Sequence, residues 1–257
     1  MTYTAYDDVN AILDILLNGT KEILKEQFIG MYLYGSLSSG DFDPNSSDID
    51  FVIVTENILA DETISALEYL HQRIWASGMK WASKLEGSYI PQNLIRRHDP
   101  DGPACPTVNE GKFYVDQCGS DWIIQRHVIR EYGVALDGPD PKMLIDFVTP
   151  DDIRGAVLGV LREWWFRMLD NPKWLQDHGS EYHAYAILSM CRALHALKHG
   201  TIVSKPVAAK WAQEEFGKEW SGTIEESLST RSHDGKEHDL YNKALDLIRF
   251  TSDHLQK

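Results

Sequence analysis

The chain has 257 residues, of which 43% are hydrophobic and 25% are charged, and these values are ordinary for a globular protein. A chain of this length can form one large domain or two smaller ones. Its formal net charge of −14 disfavours a nucleic-acid partner, because such a surface repels phosphate and attracts cationic ligands. No apolar run reaches the roughly 18 to 20 residues of a membrane span, and the N-terminus lacks a signal-peptide pattern. We therefore expect a cytoplasmic, monomeric protein with no membrane association.

The first element in the chain is a predicted amphipathic helix. Val9, Ile12, Leu13 and Leu16 recur at helical spacing and form a stripe that faces a core. Gly19 is a predicted interruption of this helix, since glycine is a poor helix former. The stripe carries no chemistry of its own.

A strand, a turn and a second strand follow, and they carry the most informative residues of the chain. The apolar run 29–34 predicts a strand that ends in the turn Gly35-Ser36. The second strand starts with Asp48 and Asp50, whose side chains lie on one face, about 6.5 to 7 Å apart along the chain. Two carboxylates placed in this way can chelate hard divalent cations such as Mg²⁺. The opposite face carries the apolar side chains of Ile49, Phe51 and Ile53, which we expect to be buried.

The turn before the carboxylates predicts a phosphate site. Gly35 allows backbone N–H groups to approach a polyphosphate closely, and the Ser36 hydroxyl and the start of a following helix offer further donors. A simpler interpretation is that the turn is only a tight turn and that Asp48 and Asp50 form a solvated strand end. We favour the functional interpretation because the Gly35-Ser36 turn follows the first strand and the two carboxylates begin the second, which is the order that a phosphate site beside a metal site requires.

Further elements complete an alternating pattern of helices and strands. Residues 61–76 predict a helix with an acidic first turn, and the run from Lys84 to Ile90 predicts a third strand. These elements favour an antiparallel or mixed sheet of three to five strands with helices on one side. Residues 91–119 are rich in turn formers and predict a surface loop before a short strand at 112–115.

The second half of the chain is predicted to be helical. One helix follows Asp121 and ends near Gly133. Further helical patterns cover the ranges 151–169, 180–199, 204–215 and 236–255. We therefore predict an α+β protein with two domains. The N-terminal domain, 1–149, contains a mixed sheet with helices, and the C-terminal domain, 150–257, is an all-α helical bundle.

The order of the two central motifs resembles that of a known superfamily. Gly35-Ser36 followed by Ser47-Asp48-Ile49-Asp50 is similar to the signature of nucleotidyltransferases related to DNA polymerase β. The whole length, including the helical second half, is similar to the streptomycin and spectinomycin adenylyltransferases, whose Leu-Glu motif matches Leu85-Glu86. The resemblance implies a polymerase β-like fold for the N-terminal domain. It also implies that Glu86 is the general base.

The resemblance further implies the ligands of ATP and its cations. Two Mg²⁺ ions would be bound by three carboxylates, those of Asp48, Asp50 and Glu86. The phosphates would be bound by small residues of the two motifs, namely Gly35, Ser36 and Ser47. Arg192 and Lys205, in the second half of the chain, match an arginine and a lysine that contact ATP phosphates in that family.

Candidate contacts for the acceptor also come from the resemblance. Trp174 with Asp177 or Glu181 is similar to the pair that contacts streptomycin, and Asp121 matches an acidic residue that begins the interdomain helix. Packing of Trp174 and a helix cap at Asp121 are the simpler alternatives. Two positions depart from the family pattern, with Pro206 in place of a common aspartate and Arg231 in place of a tyrosine near the nucleotide.

The implied function is O-adenylylation of an antibiotic. AMP would pass from Mg-ATP to a hydroxyl group of streptomycin, spectinomycin or both, with release of pyrophosphate and resulting resistance. One alternative is nucleotidyl transfer to another acceptor, either a different antibiotic or a protein. A second alternative is a catalytically silent nucleotide-binding sensor, which would be expected to lack the third carboxylate, whereas Glu86 is present.

Overall fold

The computed structural model describes residues 2–231 and 240–255. The chain divides into two compact units. Unit 1 comprises Met1–Phe42 and Ser47–Phe147, and unit 2 comprises Asp43–Ser46 and Val148–Lys257. No helix within the described ranges combines the length and the apolar character needed to cross a bilayer.

A mixed sheet forms the centre of unit 1. Counted over the described residues, it has six strands in the order β5-β4-β3-β2-β1-β6, and only the β2–β3 pair among them is parallel. The mixed sheet is confirmed, but the expected limit of five strands is wrong. The strands are β1 Phe28–Leu33, β2 Ile49–Thr55, β3 Leu85–Pro91, β4 Cys105–Asn109, β5 Lys112–Asp116 and β6 Val134–Asp137.

Both faces of this sheet are covered, which corrects the prediction of helices on one side. Phe51 and Ile53 of β2 belong to a core shared with the first and third helices, whereas Val52 and Val54 belong to a second core. Since β2 is apolar at each of these consecutive positions, both of its faces must be buried. The helices of unit 1 are α1 Asp7–Leu24, α2 Gly35–Ser39, α3 Asp61–Ala76, α4 Gln92–Arg96, α5 Asp121–Tyr132 and α6 Pro141–Leu144.

Helix α1 continues through Gly19, so the predicted interruption is wrong. A Cβ atom at Gly19 would lie 2.6 Å from Cδ1 of Leu70 on α3. The glycine therefore permits close packing of α1 against α3 instead of ending the helix.

Unit 2 is helical, as predicted, and its central element is the long helix α10. This helix contacts α7, α11, α12 and α13. The predicted range 151–169 consists of α7, a π-helical segment at Leu161–Trp165 and α8. The helices are α7 Pro150–Val160, α8 Arg167–Asp170, α9 Lys173–Gln176, α10 Ser180–His199, α11 Lys205–Phe216, α12 Lys218–Arg231 and α13 Tyr241–His254.

Helix α12 was not predicted from the sequence, and its composition explains why. Its buried positions include the polar residues Ser227 and Thr230, so the apolar stripe is incomplete. Of the predicted helix 236–255, the part at 236–239 lies outside the described residues.

Candidate active site

The turn between β1 and α2 is held directly against the carboxylate strand. Gly35 has a φ of +65°, in the left-handed region that favours glycine. A Cβ atom at this position would overlap the Asp50 carboxylate. The N–H of Tyr34 also donates a hydrogen bond of 3.1 Å to the carbonyl oxygen of Asp50. The Gly35 turn and the Asp50 carboxylate are therefore neighbours, as a combined phosphate and cation site requires.

Register places Asp50 and Glu86 side by side. The two residues are Cα partners in the parallel β2–β3 pair. Paired residues of adjacent strands project to the same face of a sheet, so both carboxylates lie on one face. This is the face of Val52 and Val54, opposite the buried Phe51. The structure thus brings together carboxylates that are separated by 36 positions in sequence.

Asp48 and Ser47 lie immediately before β2. Ser47 is buried, with 4% of its surface exposed. Asp48 forms an ion pair with Lys84, the residue before β3, and its Oδ1 lies 3.0 Å from the lysine Nζ. Asp48 therefore lies at the same end of the β2–β3 pair as Asp50 and Glu86.

The electrostatics of this group favour proton uptake by Glu86. Burial, together with the negative charges of Asp48, Asp50 and Glu110, raises the pKa of Glu86 to about 7, while Lys84 acts in the opposite direction. A carboxylate with a pKa near neutrality is suited to accept a proton from a substrate hydroxyl. The same accumulation of negative charge favours a bound cation.

The donor chemistry of the three carboxylates fits Mg²⁺, which prefers oxygen ligands. Among the described residues, no three histidine, cysteine or acidic side chains are gathered closely enough to hold a metal ion. Asp48 is ion-paired with Lys84. The carboxylates share one end of a strand pair, and a divalent cation would relieve their mutual repulsion.

A polar cavity of about 260 Å³ opens beside Glu86 within unit 1. Its walls come from β3, from the β4–β5 hairpin and from the start of α5. The acidic and aromatic side chains that line the cavity include Tyr34, Glu86, Tyr114, Asp116 and Asp121. The cavity therefore combines the candidate base with surfaces suited to a cationic, hydroxyl-bearing molecule.

Besides Glu86, the cavity side chains Asp121 and Tyr34 also have raised pKa values. Burial raises the pKa of Asp121, although this first residue of α5 remains accessible to solvent. Burial also raises the pKa of Tyr34 well above its usual value, and Asp50, Glu86 and Asp121 add to that effect. The Tyr34 hydroxyl thus stays protonated and can donate a hydrogen bond in an otherwise acidic cavity.

Sequence reasoning missed the contribution of the hairpin to this cavity. Tyr114 and Asp116 occupy alternate positions of β5, so they share one face of the strand. Alternation over 112–116 was the available signal, but β4 was not recognised because Pro106 and nearby turn formers mask it.

The predicted residues of unit 2 lie on or next to the helices α9, α10 and α11. Trp174 is on α9, is 37% exposed, and has its ring centroid 3.8 Å from that of His178 and 4.9 Å from that of Tyr182. Its environment is therefore a partly exposed aromatic cluster. Asp177 follows α9 and Glu181 lies in the first turn of α10, and both are exposed.

The two basic residues predicted for ATP are also in unit 2. Arg192 lies on α10 and is half-buried. Lys205 is the first residue of α11, and its Nζ lies 4.4 Å from the centroid of the Tyr185 ring. The Arg231 side chain lies outside the described part of the structure.

Comparisons with known proteins agree with this architecture. Residues 17–77 match a family model described as a nucleotidyltransferase domain, and this range contains Gly35, Asp48 and Asp50. The fold and the position of these residues therefore define a nucleotidyltransferase-type domain. Residues 151–256 match the model of the aminoglycoside adenylyltransferase C-terminal domain. The C-terminal part of the chain thus matches the aminoglycoside adenylyltransferase family, and part of its N-terminal half matches the nucleotidyltransferase domain family.

Similar proteins cover nearly the full length of the chain. A spectinomycin 9-adenylyltransferase of Enterococcus faecalis is 24% identical, with 98% of this chain and 96% of that protein aligned. One from Staphylococcus aureus strain Mu50 is 23% identical, with 92% and 91% aligned. The crystal structure of the spectinomycin adenyltransferase AAD(9) from Enterococcus, with ATP and spectinomycin, has a TM-score of 0.76 at 20% identity. That match covers 96% of this chain and 99% of the other. This likeness confirms the predicted fold class.

Proposed function

We propose that this protein transfers AMP from ATP to a hydroxyl group of an aminoglycoside or aminocyclitol antibiotic and releases pyrophosphate. The observation that carries the proposal is the pairing of Asp50 with Glu86 beside the Gly35 turn and an acidic cavity. The relatives are spectinomycin 9-adenylyltransferases, which makes spectinomycin the first acceptor to test and streptomycin the second. The product would no longer bind its target, so the activity would confer resistance.

In this proposal ATP is bound by its phosphates. Backbone N–H groups at Gly35 and the hydroxyls of Ser36 and Ser47 would contact them. Arg192 and Lys205 would contribute positive charge, which stabilises pyrophosphate as it leaves. Two Mg²⁺ ions, when bound by Asp48, Asp50 and Glu86, would neutralise phosphate charge.

Glu86 would act as the general base. It accepts the proton of the acceptor hydroxyl while that oxygen attacks the α-phosphorus of ATP. The bond between the α-phosphorus and the bridging oxygen then breaks, and pyrophosphate leaves with the electron pair. The neutral-range pKa of Glu86, about 7, supports this role because the group can exchange protons under physiological conditions.

The acceptor would be recognised through its positive charge and its ring hydroxyls. Asp116 and Asp121 supply carboxylates at the cavity beside Glu86, and Tyr114 adds an aromatic ring. Ammonium and guanidinium groups bind to such carboxylates and ring faces. Trp174, with Asp177 or Glu181, is our candidate contact for streptomycin in unit 2.

A cytoplasmic location, a monomeric state and the lack of nucleic-acid binding stay predictions.

The test is pyrophosphate release by the purified protein. With Mg-ATP alone we expect little release, and with spectinomycin or streptomycin we expect a large increase. Glu86→Gln should lower kcat by about 10² to 10⁴-fold, the usual contribution of a general base. The control Glu68→Gln makes the same change on the exposed face of α3 and should leave the rate unchanged.

Other outcomes would identify the alternatives. Release without any acceptor, or full activity of Glu86→Gln, would contradict the proposal. Mass spectrometry of an acceptor panel that includes lincosamides, hygromycin and proteins would detect a different substrate as a gain of one AMP. Binding of ATP without transfer to any acceptor would support a nucleotide-binding sensor.

A further inference from the structure

Lys84 forms an ion pair with a residue of the candidate cation site. Its Nζ lies 3.0 Å from Oδ1 of Asp48. Lys84 immediately precedes β3 and Asp48 immediately precedes β2, so the pair joins the ends of the two parallel strands that carry Asp50 and Glu86. Neither the motifs nor the proposed reaction assigns a role to this lysine.

The position of this pair differs from that of an ordinary surface pair. A few residues earlier, Lys80 pairs with Asp8 at 3.5 Å, and that carboxylate lies at the start of α1. Asp48, in contrast, shares its surroundings with two further carboxylates, and its charge acts on Glu86. An ammonium group beside Asp48 therefore offsets repulsion among several negative charges.

A divalent cation and the lysine ammonium would compete for the same oxygen atoms. Like charges repel most strongly at short distance, so a cation at Asp48 is disfavoured while the ammonium stays 3.0 Å away. The lysine side chain is 47% exposed, which leaves it room to move away. Exchange of one positive partner for another is thus possible without rearrangement of the strands.

We propose that Lys84 is a built-in counter-ion that occupies Asp48 in the cation-free protein and competes with the divalent cation for it. Lys84 is thus a positioning residue that sets the cation requirement of the site. This inference rests on the proposed function, because it assumes that Asp48 binds the cation. Phosphate groups of an incoming nucleotide would give the released ammonium a new partner, so nucleotide and cation should bind cooperatively.

The test is titration of Mn²⁺ against the nucleotide-free protein, followed by electron paramagnetic resonance of the free ion. Lys84→Met should tighten Mn²⁺ binding about tenfold, because it removes a unit positive charge beside the ion. Lys80→Met removes the same charge from the remote pair with Asp8 and should bind Mn²⁺ like the wild type. Asp48→Asn should abolish the tight binding and so identifies the site that is measured.

Thermal unfolding supplies a second readout that does not depend on catalysis. In the presence of a chelator, Lys84→Met should unfold at a lower temperature than the wild type, and Mn²⁺ should raise its unfolding temperature by more. Lys84→Arg retains the charge and should resemble the wild type in both measurements. If Lys84→Met does not fold, Lys84→Arg is the variant that is compared with the wild type.

The outcomes separate this inference from the proposed function. Equal Mn²⁺ affinity in the wild type and Lys84→Met, with binding lost in Asp48→Asn, would overturn the role of Lys84 alone. Binding that is unaffected by Asp48→Asn would overturn both the cation site and the inference.

Discussion

In unit 1, Asp50 and Glu86 project from paired positions of two parallel strands, whereas in unit 2 Trp174 and Lys205 lie on separate helices beside aromatic rings. Backbone hydrogen bonds determine the positions of the first pair, and side-chain packing determines those of the second. A strand register changes only in whole residues, but a partly exposed ring can move by rotation about its side-chain bonds. In the proposed function, the strand register of unit 1 would therefore hold the catalytic carboxylates in fixed positions, whereas the aromatic contacts of unit 2 would be adjustable.

Apart from Glu86→Gln, the largest expected effect on activity comes from the glycine that touches the carboxylate strand. Gly35→Ala places a Cβ atom against the Asp50 carboxylate in addition to straining a left-handed backbone. We expect activity to fall by about 100-fold or more, since displacement of a reacting group by about 1 Å has that consequence. Steady-state pyrophosphate release measures this loss.

Gly40→Ala is the matched control for this substitution. Gly40 also has a positive φ, +78°, but a Cβ atom there has no neighbour within 4 Å. The variant should lose about 1 to 2 kcal/mol of unfolding free energy from backbone strain and retain most of its activity. Equal loss of activity in both variants would show that strain, and not contact with Asp50, is responsible.

A smaller effect is expected from the aromatic cluster of unit 2. Trp174→Ala should raise the KM for streptomycin about tenfold and change kcat little, because it removes a ring face that would bind a cationic group. The comparison variant is Trp164→Ala, whose ring packs on Trp174 with centroids 5.1 Å apart. A loss of unfolding free energy in Trp174→Ala with an unchanged KM would make Trp174 a packing residue.

A further effect concerns pH and the stability of unit 1 without cations. Burial raises the pKa of Glu86 from 4.5 to about 7, so the folded protein holds this proton more tightly than the unfolded chain. The unfolding free energy should therefore fall as pH rises from 4.5 to 7, by about 3 kcal/mol from this group, and then level off. Denaturant titrations of the wild type and Glu86→Gln at both ends of this range check the difference. A pH dependence that persists in the variant would assign it to other groups.

The same pKa predicts the shape of the rate profile. A general base must be deprotonated, so kcat/KM should rise with pH and then reach a plateau, and the midpoint of the rise would be about 7 if no cation were bound. Divalent cations bound at Asp48 and Asp50 would move this rise to lower pH, because they stabilise the ionised form of Glu86.

Much of the fold could be predicted because its elements have strong local patterns. The helix at 61–76 and the helix at 180–199 have the predicted bounds, and the strands around the two motifs agree within one residue. Strands β4 and β6 and helix α12 were missed. Strands β4 and β6 are short and flanked by turn formers, and helix α12 buries the polar residues Ser227 and Thr230. These elements are therefore stabilised by packing against neighbouring elements, and their own sequences lack a clear periodicity.

The candidate site divides in the same way. Gly35, Asp48 and Asp50 could be predicted as site residues because their spacing is local, and Glu86 was predicted through a family motif. The contact of Gly35 with Asp50 and the ion pair of Lys84 had no sequence signal, and alternation over 112–116 did not show that Tyr114 faces the cavity. Each depends on which strands are neighbours.

The order of residues along this chain was thus sufficient to predict an α+β nucleotidyltransferase-like protein with a helical second half. Alternation, helical spacing and turn chemistry are local properties, and they can be recognised without knowing the partners of an element. Strand order and register are properties of the folded chain, because hydrogen bonds between distant segments select one pairing among many. The parallel pairing of β2 with β3 is therefore what set Glu86 beside Asp50 and Lys84 beside Asp48.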